Sequence, residues 1–249
     1  MKSTKRKNIV GLFAAVLLLL FPSMVHAQAR GAATRSPKDV ALIDMTGYWV
    51  AIVSEDWRFR MVTPAKGDYP DIQPLNDAGK KIADSWDPAK DEAAGEQCKG
   101  YGAGNIMRIP TRLHITWADD TTLKLETDAG TQTRLFRFGN PKPPAGQPDW
   151  QGFSVAQWES VGSGPGGSLK VVTTRMRPGY LQKNGVPYSA NTTMTEYFDV
   201  VKEDNGDQWL VVKSIIEDPQ YLSRTLIRST HFRKQANASG WNPTACSAR

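Results

Sequence analysis

The chain has 249 residues, a net charge of +6 and two cysteines. Four basic residues stand in the first seven positions, and removing them leaves a charge of +2, so the charge does not indicate a nucleic-acid partner. The length is sufficient for one large hydrophobic core.

The first 27 residues predict an export signal. A basic start precedes an apolar run from Ile9 to Phe21, and Val25-His26-Ala27 places small residues where signal peptidase cuts. The run is shorter than the roughly 20 apolar residues that a membrane-spanning helix needs, which favours cleavage over stable membrane insertion. We therefore expect a periplasmic or secreted protein, with residues 28–43 as a flexible N-terminus and 44–249 as a single domain.

The two cysteines, Cys98 and Cys246, are an even pair in a chain that we expect to reach an oxidising compartment. This combination predicts one disulfide, and two sulfurs alone do not make a zinc site. The bond would stabilise the fold by about 2–5 kcal/mol. We expect no metal and no cofactor.

The first strand is predicted at residues 47–55, with residues 57–62 continuing it past a bulge. Thr63 begins a loop rich in proline and glycine, and apolar residues then follow at helical spacing from Leu75 to Trp86. Asn76 is placed to cap this helix and Asp87 to cap a second one. Residues 64–98 therefore predict a short helical insert, either a lid over a functional site or a plug over one end of the sheet.

From residue 112 onwards the sequence predicts β-strands. Alternating apolar and polar residues recur at short intervals, separated by turn residues. These segments are 112–117, 122–127, 131–138, 153–159, 169–176, 193–202, 208–216 and 224–233. So many antiparallel strands must bury their edges, and closure into a barrel of about 8–10 strands does so, with a β-sandwich as the alternative.

Two resemblances accompany this interpretation. Gly47-x-Trp49 at the start of the first strand resembles the signature of lipocalins and the wider calycin group, which implies that the tryptophan closes one barrel end under a basic residue, Arg224 or Arg228. A wider resemblance is to a family of exported bacterial β-rich proteins. It is carried by the segments at 96–98, 150–159, 169–174, 185–189 and 217–221, and it implies a compact domain from residue 47 onwards without implying any chemistry.

The candidate catalytic residues are two histidines and the carboxylates of nearby strands. His114 and His231 lie in predicted strands, Glu126 lies in the strand after His114, and Glu159 ends a strand before a glycine-rich loop. If the strands of both histidines border the first strand, they could meet as a proton-transfer or metal pair in a polar lumen. The alternative is that both histidines lie on the outside, because a polar strand face is usually the solvated one.

The candidate ligand-binding residues are aromatic and basic. Eight tryptophans are many for this length, and they either fill a large β core or line a pocket for an apolar or aromatic molecule. The residues selected are Trp57, Trp86, Trp117, Arg134, Trp158, Arg175 and Tyr197.

The sequence thus predicts an all-β barrel that binds a small hydrophobic or aromatic molecule in its lumen. The alternative function is a cofactor-independent isomerase, lyase or hydrolase on the same barrel, using a histidine and carboxylates. A structural module without a pocket is the third possibility. The expected partner is a small molecule and not nucleic acid, and the oligomeric state stays open.

Overall fold

A computed structural model of the protein describes residues 35–69, 73–160, 162 and 166–249. The predicted export signal and residues 28–34 lie outside the described residues. Residues 35–249 form one compact unit. The predicted barrel is confirmed, with nine strands in a closed sheet. Its strands are β1 Gly47–Ile52, β2 Arg112–Asp119, β3 Thr122–Thr127, β4 Thr133–Phe138, β5 Phe153–Ser160, β6 Gly167–Thr174, β9 Thr193–Lys202, β10 Gln208–Glu217 and β11 Leu226–Gln235; a separate hairpin contains β7 Gly179–Gln182 and β8 Val186–Tyr188.

The order of strands around the barrel is β1-β11-β10-β9-β6-β5-β4-β3-β2, and β2 closes on β1. The prediction of a purely antiparallel sheet is wrong at one place, because β4 and β5 are parallel. The connection between them, residues 139–152, is long and rich in proline. A connection of this length can return along the strands, which parallel neighbours require.

The lumen is packed over much of its length. Inward-facing residues alternate along each strand, and Trp49, Phe136 and Phe198 are fully buried there. Phe136 and Phe198 meet with ring centroids 5.3 Å apart. Burial of side chains this large contributes about 1.5–3 kcal/mol each relative to leaving them exposed, so this part of the lumen is the principal core.

One end of the barrel, here called the closed end, is sealed by Trp49 and the chain before it. Gly47 adopts φ of 99°, which favours glycine, and Trp49 Nε1 donates to the Met45 carbonyl at 2.8 Å. The basic residue over Trp49 is Lys234, with Nζ 4.4 Å from the ring centroid, rather than Arg224 or Arg228. The strand register explains this difference, since it pairs Trp49 with Lys234.

Residues 35–43, expected to belong to a flexible terminus, lie against the closed end. Trp158 Nε1 donates to the Pro37 carbonyl at 2.8 Å, the Lys38 amide donates to the Asp120 carbonyl, and Ile43 packs on the core. These contacts satisfy backbone groups that an extended tail would leave to water.

The opposite end, the covered end, lies under the chain between β1 and β2, which includes the predicted insert at 64–98 and has further helices on both sides of it. Its helices are α1 Trp57–Arg60, α2 Asp77–Asp84, α3 Pro88–Ala93 and α4 Ala103–Ile106, with 3-10 turns at Ser54–Asp56 and Gln97–Tyr101. Both predicted caps are confirmed: Asn76 accepts from the Gly79 amide at 2.9 Å, and Asp87 accepts from the Ala89 amide at 3.1 Å. The predicted strand at 57–62 is wrong, because the chain turns into α1 after β1 ends at Ile52.

Apolar side chains from the insert, the hairpin and the strand ends form a second core at the covered end. Its members include Ala83, Leu181, Val186, Met194 and Ile216. The predicted disulfide is present, with the sulfurs of Cys98 and Cys246 at bonding distance, and it fixes the C-terminal segment to the Gln97–Tyr101 turn. No helix in the described part of the chain has the length and apolar character to cross a membrane.

Candidate functional site

The candidate site is a cavity of about 300 Å³ at the covered end. We call it the mouth cavity. It lies where the α1 segment, α4, the β7–β8 hairpin and the start of β11 come together. Its described lining residues are Phe59, Arg60, Met61, Val62, Thr63, Pro64, Gln73, Tyr101, Asn105, Arg108, Ile109, Pro110, Ala129, Leu181, Gln182, Lys183 and Arg228.

Arg60 enters the mouth cavity from the last position of α1 and is 8% exposed. Its Nε donates to the Arg108 carbonyl at 3.1 Å, and its Nη1 donates to the Ile52 carbonyl. The Nη2 atom is buried and has no hydrogen-bond partner among the described residues. Burial, and then the positive charge of Arg108, lower the pKa of Arg60 to about 10. The Arg60 guanidinium therefore hydrogen-bonds only neutral carbonyl oxygens among the described residues, and an anion in the cavity would be attracted by its charge.

Arg228 enters the same cavity from the barrel wall. Along β11 the inward positions alternate through Leu226, Arg228, Thr230 and Phe232, so the strand itself aims this side chain into the lumen. Nη1 donates to the Leu181 carbonyl at 3.0 Å and Nη2 donates to Gln73 Oε1 at 2.8 Å. Burial, followed by repulsion from Arg108, lowers the pKa of Arg228 to about 9.

Arg108 is the third arginine of the site, and it carries the nearest compensating acid. Its Nη2 contacts the Asp56 carboxylate, and its Nη1 donates to the Ser229 carbonyl at 3.3 Å. Asp56 raises the pKa of both Arg60 and Arg228, but this effect is smaller than that of burial and of Arg108. Glu55 also raises the pKa of Arg60, by less than Asp56 does, so in the described part of the chain one carboxylate contact and one weaker acidic effect act on three arginines.

The remaining polar lining increases the cationic character of the cavity. Lys183 is a fourth basic residue, and the amides of Gln73, Asn105 and Gln182 supply further hydrogen-bonding groups. None of the described lining residues is acidic. Apolar side chains such as Phe59 and Leu181 complete the wall. The arrangement can hold an anion through charge-assisted hydrogen bonds and an apolar group against the wall.

The predicted catalytic residues lie on the outer face of the barrel. His114 Nδ1 is 3.3 Å from Glu126 Oε2, and the His114 ring stacks on Tyr48 with centroids 4.2 Å apart. Glu159 lies 3.0 Å from Lys170, and this hydrogen bond lowers the pKa of Glu159. The structure therefore supports the alternative of exterior histidines over a lumenal pair.

His231 is also on the outer face, where its Nδ1 contacts the Glu55 carboxylate. The strands of both histidines border β1, which was the condition for a pair, but His114 is opposite Tyr48 while His231 is opposite Ile52. Four residues along a strand correspond to about 13 Å, so the two histidines do not form a pair.

The predicted ligand-binding residues do not line the mouth cavity. Trp117 and Trp158 pack on Phe138 within the closed end, and Trp86 lines a separate shallow depression beside Tyr180. Trp57 is 57% exposed, and Arg175 lies on the surface at φ of 53°. The remaining two are Arg134, which is fully buried in the lumen, and Tyr197, which lies on the outer face between Lys170 and Lys213.

None of the three arginines of the cavity was predicted from the sequence as a ligand-binding residue, and Arg228 was expected only as one of two candidate cations over Trp49. The alternation in β11 could have pointed to Arg228, because this arginine occupies the same strand face as the apolar residues Leu226 and Phe232. A charged residue at an inward position is unusual and points to a site. Arg60 had no comparable signal, since its segment was interpreted as strand, and Arg108 precedes β2 in a loop.

No group of three or more metal-binding side chains occurs among the described residues. No known family model matches the chain, and no curated protein is significantly similar to it in sequence. The site must therefore be interpreted from its own geometry.

Proposed function

We propose that the protein is an exported, periplasmic or secreted, barrel that binds a small anionic molecule with an apolar part in the mouth cavity. The observation that carries this proposal is the convergence of Arg60, Arg108 and Arg228 around one cavity, where the partners of Arg60 and Arg228 in the described part of the chain are neutral oxygens. Among the described residues, the carboxylate that contacts these arginines is that of Asp56, on Arg108, and Glu55 adds a weaker electrostatic effect on Arg60.

The proposal keeps the small molecule expected from the sequence and changes its chemistry. The lumen between Trp49 and Phe198 is filled by buried side chains, so it offers little room for an apolar ligand. The mouth cavity instead combines fixed positive charge with apolar walls. Arginine binds carboxylate and phosphate oxygens through two parallel hydrogen bonds, which makes these groups the expected ligand heads.

The test is isothermal titration calorimetry of the mature protein with benzoate, succinate and inorganic phosphate. At least one of them should bind, and Arg228→Gln and Arg60→Gln should weaken that binding tenfold or more. Arg233→Gln is the matched control, because Arg233 lies on the same strand but on its outer face, paired with Asp207 at 2.7 Å. This control should bind as the wild type does.

Two results would contradict the proposal. One is that none of the three anions binds. The other is that Arg228→Gln and Arg233→Gln weaken binding equally, which would indicate a general effect of net charge rather than a site.

A further inference from the structure

A second cluster, on the outer face of β11, is separate from the mouth cavity. Ser229 and His231 are two residues apart in the strand, so their side chains point the same way. Ser229 Oγ lies 3.0 Å from His231 Nε2, and His231 Nδ1 contacts the Glu55 carboxylate. Serine, imidazole and carboxylate thus form a continuous chain of contacts.

The local fold explains why these groups meet. β1 ends at Ile52, opposite His231, and the chain then forms the 3-10 turn Ser54–Asp56. This turn brings Glu55 to the His231 ring. The β11 residues before His231 have no β1 neighbour, and the Ser229 carbonyl accepts a hydrogen bond from Arg108 instead. The cluster therefore forms where β11 extends past the end of β1.

The protonation pattern follows from the contacts. An ionised Glu55 can only accept a hydrogen bond, so the proton of a neutral His231 ring belongs on Nδ1. Nε2 then has its lone pair directed at the Ser229 hydroxyl. This is the tautomer in which a histidine acts as general base toward a serine nucleophile, with the carboxylate orienting the ring.

One guanidinium group lies beside Ser229: Arg108 Nη1 donates to the Ser229 carbonyl at 3.3 Å. Lys213 is opposite Ser229 in β10, but its ammonium lies over the Tyr197 ring of β9, 4.6 Å from the centroid. Cations next to a nucleophile stabilise the negative charge that develops on an acyl oxygen. Ser229 itself is exposed, so a substrate can approach it directly.

We propose that Ser229, His231 and Glu55 form a hydrolytic site for acyl esters, with Ser229 as the nucleophile. Ser229 Oγ bonds to the acyl carbon while its proton moves to His231 Nε2. The bond from the acyl carbon to the alcohol oxygen breaks, and the alcohol leaves with that proton. Water, deprotonated by His231, then attacks the acyl-serine and releases the acid, and Ser229 recovers its proton.

The first experiment is labelling of the mature protein with a fluorophosphonate, followed by peptide mass spectrometry. Ser229 Oγ should form a bond to phosphorus as fluoride leaves, placing the adduct on the peptide that contains Ser229. His231→Gln should slow labelling by about 100-fold or more, the range expected for loss of a general base. Glu55→Gln should slow it less, because it removes only the orienting partner.

The second experiment measures hydrolysis of p-nitrophenyl acetate, with two control variants. Ser229→Ala and His231→Gln should abolish the protein-dependent rate. Ser239→Ala removes another exposed serine and His114→Gln removes the other histidine that contacts a carboxylate, and both should retain the rate. The proposal is overturned if the wild type is not labelled on Ser229, or if Ser229→Ala hydrolyses the ester as fast as the wild type. Unchanged anion binding by Ser229→Ala would show that the variant is folded.

Discussion

The barrel contains arginines in two different settings, one in the lumen and one at the mouth cavity. Arg134 in the lumen is fully buried and meets Glu196 through two contacts, Nη1–Oε1 at 3.1 Å and Nη2–Oε2 at 2.5 Å. A third contact joins Nη2 to Thr173 Oγ1 at 3.3 Å. Arg60 and Arg228 at the mouth cavity donate instead to backbone carbonyls and an amide oxygen.

The difference distinguishes an arginine whose charge is already compensated within the fold from one whose charge can still attract a ligand. A buried ion pair with two contacts already has its charge compensated, so a ligand gains little by binding there. An arginine that donates only to neutral oxygens keeps its positive charge uncompensated, and a ligand anion can supply the missing charge. If this is right, removing the partner of Arg134 should reduce stability, whereas replacing Arg228 should mainly reduce anion binding.

Glu196→Gln should have the largest effect, because it leaves the Arg134 guanidinium buried without an opposite charge. We expect a loss of about 3–5 kcal/mol in the free energy of unfolding, measured by urea denaturation. The double variant Arg134→Met/Glu196→Leu removes both charges and should recover most of that loss. A cost below about 1 kcal/mol for Glu196→Gln alone would mean that the pair is not a structural charge.

Replacing both cysteines by serine should affect the covered end more than the lumen. The disulfide ties the C-terminal segment to the turn that carries Tyr101, a residue of the mouth cavity. We expect a loss of about 2–5 kcal/mol in the free energy of unfolding. Hydrogen exchange should show increased opening in residues 97–106 while the lumenal strands stay protected. Uniformly increased exchange in every strand would contradict this local role.

The two groups of arginines also differ in how well the sequence predicts them. Alternation predicted the strands around Arg134, and the caps Asn76 and Asp87 predicted α2 and α3, because these signals are local. The pairing of Arg134 with Glu196 joins strands β4 and β9, which are not adjacent in the barrel, and so it depends on closure of the sheet. A slip of one residue in a strand would reverse its faces, and the sequence alone does not fix that register.

The mouth cavity was harder to predict than the barrel because it joins segments that are distant in the chain. Arg60 comes from α1, Arg108 from the loop before β2, and Arg228 from β11. These arginines come together because β1 ends at Ile52 and the chain turns into α1, whereas the sequence predicted that the strand continued. The same turn brings Glu55 to His231. The wrong strand prediction at this point therefore prevented both sites from being predicted.

Arg228→Gln should have a small effect on folding and a larger one on binding. The variant loses two hydrogen bonds, but it also relieves repulsion with Arg108, so we expect a change within about 1 kcal/mol in the free energy of unfolding. Anion affinity should fall by about tenfold or more, which corresponds to about 1.4 kcal/mol. Urea denaturation and calorimetry on the same sample separate the two quantities. A loss of several kcal/mol in folding would place Arg228 with Arg134 as a structural charge.

Anion affinity should be nearly constant between pH 6 and pH 8. Burial and the charge of Arg108 lower the pKa of Arg228 to about 9 and that of Arg60 to about 10, so both guanidinium groups stay protonated over this range. A base with a lowered pKa in the folded state destabilises the protein while it is protonated, and this cost decreases only as the pH rises through the lowered value. A bound anion should therefore offset part of the cost at neutral pH, and phosphate or benzoate should raise Tm, more for the wild type than for Arg228→Gln. Calorimetry at pH 6, 7 and 8 with benzoate, which stays ionised throughout, provides the check. A steep fall in affinity across this range would contradict binding by the guanidinium groups of Arg60 and Arg228.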